Sequence, residues 1–418
     1  MLDIKFIREN PDSVQKAAKA KGVEIDIHHL LKIDSEFRNV SQKVQSFNEQ
    51  KNALNKSISG KPTSEQIDQG KKIKEELERE DALLRDLEEK LNVFLLSIPN
   101  PAKSDVKAGR DESENEVIKK FKEPTKFDFT PKDHLELGQN LDIYDIERAA
   151  KVSGTRFYYL KNDGVLMELA LVQFALDLLI KEGFTPVFPP VLIKRETMAG
   201  LGYMENGGEE DMFSVPNDNL FLVGTAEQSL VPMHMNETLQ KKDLPRRYVG
   251  YSPSFRREAG AYGKDTRGTL RVHQFNKVEM VSFVAEGEDD KEHEYLLSLE
   301  EKFFQALDIP YQLVKMCTGD LGFPAARKYD IEAWMPGQNK YREVTSVSTV
   351  TDFQSRRLSM KYQDDDHRKY LNVLNGTAFA MSRTPIVILE NYQQEDGSVV
   401  VPEVLRKYMG KDVIKPKK

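Results

Sequence analysis

The chain has 418 residues, which is too many for one ordinary hydrophobic core, so we expect two or three domains. Its net charge of -7, from 61 basic and 68 acidic residues, excludes a protein that attracts nucleic acid over its whole surface, and any such binding must use a local basic patch. The single cysteine, Cys317, excludes an internal disulfide framework and a cysteine-rich zinc cluster, and it suits a reducing compartment.

The sequence shows neither a secretory signal nor a membrane-spanning segment. Charged residues interrupt the apolar ones in the first ten positions. The longest apolar stretch, residues 166–180, contains Glu168, Gln173 and Asp177, a pattern that predicts an amphipathic helix. We therefore expect a cytoplasmic protein without a membrane partner.

Apolar residues recur in steps of four and three in two segments near the start. The first seam contains Ile33, Phe37, Val40, Val44, Phe47, Leu54 and Ile58, with Lys51 as an interruption. The second contains Ile73, Leu77, Leu84, Leu87, Leu91, Phe94 and Ile98, with Glu80 as its polar interruption. Between them, Thr63 and Gln66 form a capping-box pattern that starts the second helix. The two seams predict an antiparallel coiled-coil hairpin over about residues 33–98, roughly 40 Å long at about 1.5 Å per residue.

Charge is distributed unevenly over this arm. Residues 38–61 carry Arg38, Lys43, Lys51, Lys56 and Lys61 against the single acid Glu49, whereas residues 65–89 are strongly acidic. The basic helix is therefore suited to contact a phosphate backbone. The alternative is an arm used only for oligomerisation or spacing, because charged coiled-coil exteriors are often merely solvated.

The rest of the chain resembles one α/β domain in which strands outnumber helices. Pro99 and Pro101 end the second arm helix. Several short strand-like segments are joined directly by turns: residues 158–160, 220–223, 278–283, 329–333 and 342–347. Such joins favour a mainly antiparallel sheet. The predicted fold class is α+β, with a helical domain (1–101), a linker and edge (102–132) and a sheet domain flanked by helices (133–418).

Residues 254–279 predict two strands joined by a glycine-rich turn, with charge on one face. Arg256 and Glu258 lie two apart in the first strand. Alternation in the second strand places Arg271, His273, Phe275, Lys277 and Glu279 on one face and Leu270, Val272, Val278 and Met280 mostly on the other. This face offers guanidinium groups for a phosphate, a ring for a base and carboxylates for an amine. The alternative is an exposed, salt-bridged hairpin.

Three further motifs carry polar side chains at strand ends. Thr225 and Glu227 follow a strand and suit an ammonium group, although a helix N-cap explains them equally well. Glu343 and Ser346 suit a magnesium ion that bridges phosphate oxygens. Arg383 precedes a Thr-Pro helix start, where it is placed to stack on a base or meet a phosphate, or is simply a solvated surface arginine.

Together these motifs resemble the class II aminoacyl-tRNA synthetases. Residues 183–190, the 256–279 hairpin and residues 375–383 are similar to the three ordered signature motifs of that class. The heptad arm, residues 225–227, residues 266–268 with 273–275, and residues 390–393 resemble bacterial-type seryl-tRNA synthetase. The similarity runs nearly end to end.

The resemblance implies roles for individual residues. For ATP it implies Arg256, Arg257, Glu258, Val272, Phe275, Glu343, Val344, Thr345, Ser346 and Arg383, with Mg²⁺ on Glu343 and Ser346. For L-serine it implies Thr225, Ala226, Glu227, Arg256, Glu279, Asn375 and Thr377, and for tRNA it implies Arg38, Lys43, Lys51 and Lys56. Arg256, Arg383 and Glu343 are the implied catalytic residues. His273 is expected to have a structural or hydrogen-bonding role, and Arg271 to be a partner of the carboxylates.

The implied activity is serine–tRNA ligation by a homodimer, since the first motif is a dimer-interface element in this class. Serine and ATP give seryl-adenylate and pyrophosphate, and serine then passes to the 3′-terminal ribose of tRNA(Ser), with tRNA(Sec) as a second candidate. Positioning and charge neutralisation carry most of the rate, without a side-chain nucleophile.

The sequence also departs from the usual bacterial pattern. Gly224 replaces a proline, residues 347–349 replace Cys-Ser-Asn, and residues 376–379 replace Gly-Ser-Gly-Leu while keeping a hydroxyl in Thr377. One alternative function is an adenylate-forming ligase that charges a carrier protein, but such relatives are expected to lack the arm. The other is an inactive nucleic-acid-binding or scaffold protein, which would require substitutions at Arg256, Glu279, Glu343 or Arg383 that the sequence does not have.

Overall fold

The computed structural model describes residues 1–205, 207–259 and 268–417. The chain divides into two units, Met1–Pro99 and Asn100–Lys418. Among the described residues there is no helix with the length and apolarity that a bilayer crossing requires.

The first unit is helical. Its helices are α1 (Ile4–Glu9), α2 (Pro11–Ala20), α3 (Ile27–Ser57) and α4 (Ser64–Leu96). The predicted capping box is confirmed: Thr63 and Gln66 each accept a hydrogen bond, through their side-chain oxygens, from the other's backbone N–H. Helix α3 begins six residues before the predicted start, because Asp26 caps it by accepting from the N–H of His29.

Helices α3 and α4 pack as an antiparallel pair, as the two seams predict. Lys43 lies opposite Glu80 and Leu54 lies opposite Gly70, so residue numbers run in opposite directions along the two helices. The buried apolar residues of the pair include Ile33, Val40, Ile73, Leu77, Leu87, Leu91 and Leu95. Glu80, the polar interruption, is only 5% exposed, and its Oε2 lies 3.7 Å from Lys43 Nζ. The interruption is thus an ion pair within the seam.

The second unit contains a large sheet with helices around it. Its helices are α5 (His134–Asn140), α6 (Ile146–Ser153), α7 (Asp163–Lys181), α8 (Arg195–Leu201), α9 (Glu227–Leu230), α10 (Asp289–Ala306), α11 (Phe353–Leu358), α12 (Thr384–Asn391) and α13 (Glu403–Met409). Its strands are β1 (Glu116–Phe121), β2 (Tyr144–Asp145), β3 (Tyr159–Leu160), β4 (Thr185–Val187), β5 (Leu192–Lys194), β6 (Ser214–Val215), β7 (Leu220–Leu222), β8 (Thr238–Gln240), β9 (Arg246–Phe255), β10 (Gln274–Val284), β11 (Tyr311–Lys315), β12 (Arg327–Met335), β13 (Lys340–Thr351), β14 (Lys361–Asp364), β15 (His367–Tyr370), β16 (Asn372–Ala380), β17 (Val399–Val400) and β18 (Val413–Ile414).

The main sheet has the strand order β1-β11-β12-β13-β16-β10-β9-β4 in the described residues. Every neighbouring pair in it is antiparallel except β4 and β9, which are parallel. Helices α7 and α10 pack against this sheet, where Phe174 and Phe303 meet Phe379 of β16. The predicted α+β class with a mainly antiparallel sheet is therefore confirmed, and the apolar core fixes the central strands that carry the site.

Candidate active site

One cavity of about 390 Å³ collects most of the residues that the sequence singles out. From the implied ATP and serine sets, its lining includes Thr225, Glu227, Arg256, Glu258, Val272, Phe275, Glu279, Glu343, Val344, Thr345, Ser346, Asn375, Thr377 and Arg383. Ala226 and Arg257 are not among the lining residues. Ala226 packs in the apolar core beneath α9, and the guanidinium of Arg257 lies 5.9 Å from the ring centroid of Phe213.

The hairpin at the centre of this cavity differs from the prediction at its strand ends. Strand β9 ends at Phe255 and β10 begins at Gln274, so the expected strand positions of Arg256, Glu258, Arg271 and His273 are wrong. Leu270 and Val272, expected on the opposite face, also line the cavity. Glu258 has a positive φ of 55°. Inside β10 the predicted alternation holds, and Phe275, Lys277 and Glu279 all face the cavity. Thr266 and Arg267, two of the motif residues, lie outside the described part of the chain.

Two β-bulges place side chains that are three residues apart on the same face of a strand, where they point into the cavity. In β13, Val344 is an extra residue relative to β12, because Glu343 pairs with Glu332 while Thr345 pairs with Ile331. The bulge turns Glu343 and Ser346, which are three apart, to the same face.

The second bulge is in β16. Glu279 of β10 pairs with Thr377 and Val278 pairs with Phe379, so Ala378 is the extra residue. Asn375, Thr377 and Ala380 therefore face the cavity together. Thr377 lies directly across from Glu279, and its hydroxyl donates to Glu279 Oε2 at 3.2 Å.

His273 connects the two strand ends outside the cavity. Its carbonyl accepts from the N–H of Arg256 at 3.0 Å, and its Nδ1 lies 2.9 Å from the carbonyl oxygen of Arg256. Its ring packs against Phe157 and Phe213. These contacts agree with the structural role that we expect for this histidine.

Positive and negative groups alternate at one end of the cavity. Arg383, at the corner between β16 and α12, donates to the carboxylate of Glu343 at 3.0 Å. Partial desolvation by the surrounding protein would by itself raise the pKa of Glu343. The positive charges of Arg383 and Lys328 outweigh this effect and hold that pKa well below its ordinary value. Glu343 is thus an anion in the cavity, where 43% of its side chain remains exposed.

Two further basic groups complete this end. Arg256 donates through Nε to the carbonyl of Gly224 at 3.1 Å, and its guanidinium carbon lies 5.5 Å from the ring centroid of Phe275. Arg271 donates to Glu258 Oε2 at 2.5 Å, which agrees with its expected pairing with a carboxylate. The arrangement suits a polyphosphate beside a planar base.

The other end of the cavity holds two buried carboxylates and is called the buried end below. Glu279 is 1% exposed and Glu227 is 3% exposed. The hydroxyl of Tyr203 donates to both oxygens of Glu227, at 2.8 and 2.9 Å, and Gln354 Nε2 donates to one of them at 3.1 Å. Burial, with the neighbouring charge of Glu279, raises the pKa of Glu227.

Tyr203, Gln354 and Lys328 contribute to the site although they belong to none of the motifs described above. Tyr203 and Lys328 line the cavity, and Gln354 reaches Glu227 from a position 127 residues along the chain. Neither Tyr203 nor Gln354 belongs to a motif with a recognisable spacing. Lys328 directly precedes the predicted strand 329–333, and its ammonium lies 3.3 Å from Oδ1 of Asp330 in that strand.

Comparison with known proteins decides the family. Residues 1–102 match the family described as "Seryl-tRNA synthetase N-terminal domain", and residues 212–392 match "tRNA synthetase class II core domain (G, H, P, S and T)". The chain is 44% identical to a serine–tRNA ligase of Thermobifida fusca, over 100% of this chain and 99% of that protein. The chain belongs to the seryl-tRNA synthetase family.

Solved structures of seryl-tRNA synthetases have the same fold. The crystal structure of the Pyrococcus horikoshii enzyme complexed with ATP is similar with a TM-score of 0.94 and 41% identity, over the full length of both chains. The cytoplasmic serine–tRNA ligase of Naegleria fowleri in complex with AMP is similar with a TM-score of 0.90 and 31% identity, over 100% of this chain and 99% of that one. The family and fold that the motifs predict are therefore confirmed.

Proposed function

We propose that this chain is a serine–tRNA ligase, which activates L-serine with ATP and transfers it to tRNA(Ser). The observation that carries the proposal is the pairing of Thr377 with Glu279 inside a cavity that also holds Arg256 and Arg383, in a chain of the seryl-tRNA synthetase family. A hydroxyl and a carboxylate at the buried end suit a small hydroxyl-bearing amino acid, and the arginines suit ATP.

In the first step, a carboxylate oxygen of serine attacks the α-phosphorus of ATP. The bond between that phosphorus and the bridging oxygen breaks, and pyrophosphate leaves with the electron pair. Arg256 holds the α-phosphate and Arg383 lies over the adenine, opposite Phe275, while Glu258 bonds the base. These groups position the reactants and neutralise developing charge, so a side-chain nucleophile is not needed.

Serine is selected by buried polar groups. The ammonium binds at Glu227 and Thr225, and the side-chain hydroxyl donates to Glu279 near Thr377. Alanine would leave these buried groups without a hydrogen-bond partner, which costs much more than the loss of a few contacts. A hydroxyl on the substrate side chain is therefore required.

The residues present fit a magnesium ion delivered with ATP. Glu343 and Ser346 offer hard oxygens on the same face of β13. Among the described residues, no group of three or more His, Cys, Asp or Glu side chains could hold a metal ion without the substrate. Magnesium is commonly bound by one or two protein oxygens together with substrate phosphates. When bound, the ion would neutralise phosphate charge, with Glu343 and Ser346 as its protein ligands.

In the second step, a hydroxyl of the 3′-terminal ribose attacks the carbonyl carbon of seryl-adenylate, and AMP leaves. We propose tRNA(Ser) as the acceptor, with tRNA(Sec) as a second candidate. The arm would contact the nucleic acid backbone through its basic helix, where Lys51 and Lys56 are exposed. Arg38 and Lys43 also keep more than half of their side-chain surface exposed, although each lies near a carboxylate.

We further propose that the enzyme is a homodimer. Helix α7 buries one side against the sheet, while Val165, Leu166 and Leu169 on it remain 39%, 42% and 53% exposed. Phe188, in the first signature motif, is 81% exposed. Exposed apolar side chains of this size are typical of protein interfaces.

The test is ATP–pyrophosphate exchange over a panel of amino acids, followed by charging of tRNA(Ser) and tRNA(Sec) transcripts. We expect exchange with serine and charging of tRNA(Ser). Exchange with another amino acid but not with serine would refute the proposed substrate. Exchange with serine without charging of either tRNA would instead favour a ligase that charges a carrier protein.

A further inference from the structure

Lys277 lies in the buried end of the cavity, and the reaction described above does not explain its role. It is on β10 between Phe275 and Glu279, and only 8% of its side chain is exposed. Its ammonium lies 2.6 Å from Glu279 Oε2 and donates to the hydroxyl of Thr225 at 3.2 Å. Buried charged side chains are stabilised by groups of opposite charge, so Lys277 and Glu279 stabilise each other.

The two carboxylates of this end have different partners. Glu279 is paired with the ammonium of Lys277, whereas Glu227 is held by the uncharged donors Tyr203 and Gln354. A third carboxyl group, Glu300, lies behind the site, where burial raises its pKa well above the ordinary value and favours the neutral form. In these contacts Glu227 has only uncharged partners and is placed to take an incoming ammonium, while the charge of Glu279 is already balanced.

We propose that Lys277 determines specificity by balancing the charge of Glu279, so that this carboxylate accepts a hydrogen bond from a hydroxyl and does not bind a second ammonium group. The inference rests on the proposed activation of serine. An analogue with an ammonium in place of the hydroxyl would bring a second positive charge next to Lys277, and like charges in a buried site oppose binding. Lys277 thus acts against a wrong substrate as well as supporting the right one.

The analogue that tests this inference is L-2,3-diaminopropionate, which has the shape of serine with an amino group in place of the hydroxyl. Exchange is measured with serine and with the analogue on the acidic side of the enzyme's working range, where both amines carry protons. In Lys277→Met the negative charge of Glu279 has lost its positive partner, so the site favours the analogue, which brings an ammonium of its own. We expect the ratio of the two kcat/KM values to move toward the analogue by ~100-fold relative to the unchanged protein.

Lys328→Met is the matched control, because it removes another lysine that lines the same cavity but contacts Asp330. It should leave the serine-to-analogue ratio unchanged even where it slows exchange. Lys277→Arg should keep the preference for serine, since it retains the positive charge. An equal loss with both substrates in Lys277→Met, or an unchanged ratio, overturns the inference.

If Lys277→Met does not fold, as judged by circular dichroism, inhibition of the unchanged protein decides the question. The analogue should then inhibit serine-dependent exchange ~100-fold less strongly than L-alanine does. Alanine only lacks the hydroxyl, whereas the analogue also brings a second ammonium next to Lys277. Inhibition by the analogue that is equal to or stronger than that by alanine overturns the inference. Absence of serine exchange in the unchanged protein would refute the proposed function separately.

Discussion

Single residues decide what the cavity selects, because the two carboxylates of its buried end already have specific partners. Glu279 accepts from Thr377 and is paired with Lys277 through the same oxygen, Oε2. Its second carboxylate oxygen is therefore the one available to a substrate hydroxyl. Such an arrangement recognises a hydroxyl by position and by charge together.

The first prediction concerns this carboxylate. Glu279→Gln keeps the shape of the side chain but removes the negative charge, so the ammonium of Lys277 loses its ion-pair partner. We expect the KM for serine in the exchange reaction to rise by ~100-fold, because a buried charge is left unpaired and the hydroxyl acceptor is weakened. The KM for ATP should change much less, since the ATP residues lie at the other end of the cavity.

Glu258→Gln is the matched control, because Glu258 belongs to the other end of the cavity and pairs with Arg271. Its effect should fall mainly on the KM for ATP. A change in Glu279→Gln that affects serine and ATP equally would remove Glu279 from the serine site.

At the scale of secondary structure, the regular elements follow from patterns that the sequence displays. The seams of the arm, its capping box and the alternation in β10 depend on local periodicity, which a single sequence reveals. The bulge at Val344 places Glu343 and Ser346 on one face, and the bulge at Ala378 does the same for Thr377 and Ala380. A bulge is visible only when both paired strands are known, so the sequence does not predict that Glu343 and Ser346 share a face.

The strand ends were harder to predict for a related reason. Arg256 and Glu258 continue the alternating pattern of β9, but the strand stops at Phe255. Beyond this point the backbone bonds to a segment outside the hairpin, since the N–H of Arg257 donates to the carbonyl of Asp211. Tyr203 and Gln354 reach Glu227 through tertiary packing, for which the local sequence offers no periodic signal.

A prediction at this scale concerns acid stability. His293 of α10 is buried, donates through Nε2 to the carbonyl of Val347 in β13, and accepts from Arg327 through Nδ1. Burial lowers the pKa of His293 from 6.5 to about 3. Between these values the unfolded chain binds a proton that the folded chain does not, so folded stability falls as the pH falls, by about 1.4 kcal/mol per pH unit at most.

We therefore expect the free energy of unfolding to decrease as the pH is lowered from about 6.5 toward 3, with a smaller slope in His293→Gln. Urea unfolding followed by circular dichroism over this range measures the slope. His367→Gln, at an exposed histidine, is the control and should keep the original slope. The same slope in His293→Gln and the unchanged protein would contradict the prediction.

A second prediction concerns the packing of the arm. Gly70 lies inside α4 beside a cavity of about 340 Å³ that Lys51, Leu54, Ile73 and Leu77 also line. A Cβ atom at Gly70 would lie 3.6 Å from Leu54 Cδ2, which is ordinary contact. We expect Gly70→Ala to stabilise the arm by about 1 kcal/mol, because alanine is the better helix former and fills part of the gap.

Gly60 provides the contrast, since it has a φ of 94° in the turn between α3 and α4. Gly60→Ala should destabilise the arm by about 1 kcal/mol, because this backbone conformation strains a residue with a Cβ. Amide hydrogen exchange of α3 and α4 measures both effects. Faster exchange in Gly70→Ala than in the unchanged protein would show that the gap is required for the packing of the two helices.

At the scale of the whole molecule, the chain combines two units with different chemistry. The sheet unit contains the cavity, and the helical unit presents a basic helix although the chain as a whole is acidic, with a net charge of -7. If the arm serves tRNA and the cavity serves serine and ATP, adenylate formation and tRNA charging respond differently to changes in the arm. If the arm acts only as a spacer or oligomerisation element, changes in its charge would not affect tRNA charging more than adenylate formation.

The double substitution Lys51→Glu and Lys56→Glu tests this separation in the full-length enzyme. Both side chains are exposed on α3, so we expect folding and the rate of serine-dependent exchange to be retained. The KM for tRNA should rise about tenfold or more at low salt, because two contacts to the phosphate backbone become repulsive, and its dependence on salt should weaken. Charging assays over a series of salt concentrations measure both quantities.

Lys71→Glu with Lys72→Glu makes the same change in net charge on α4, whose exposed surface is mainly acidic, and it should affect the KM for tRNA much less. Equal effects of the two pairs would mean that overall charge, and not the basic face of α3, controls the encounter with tRNA. Deletion of residues 38–91 extends the argument: exchange should persist while charging is lost. Loss of both activities to the same extent would show that the arm supports the whole enzyme and is not specific to tRNA.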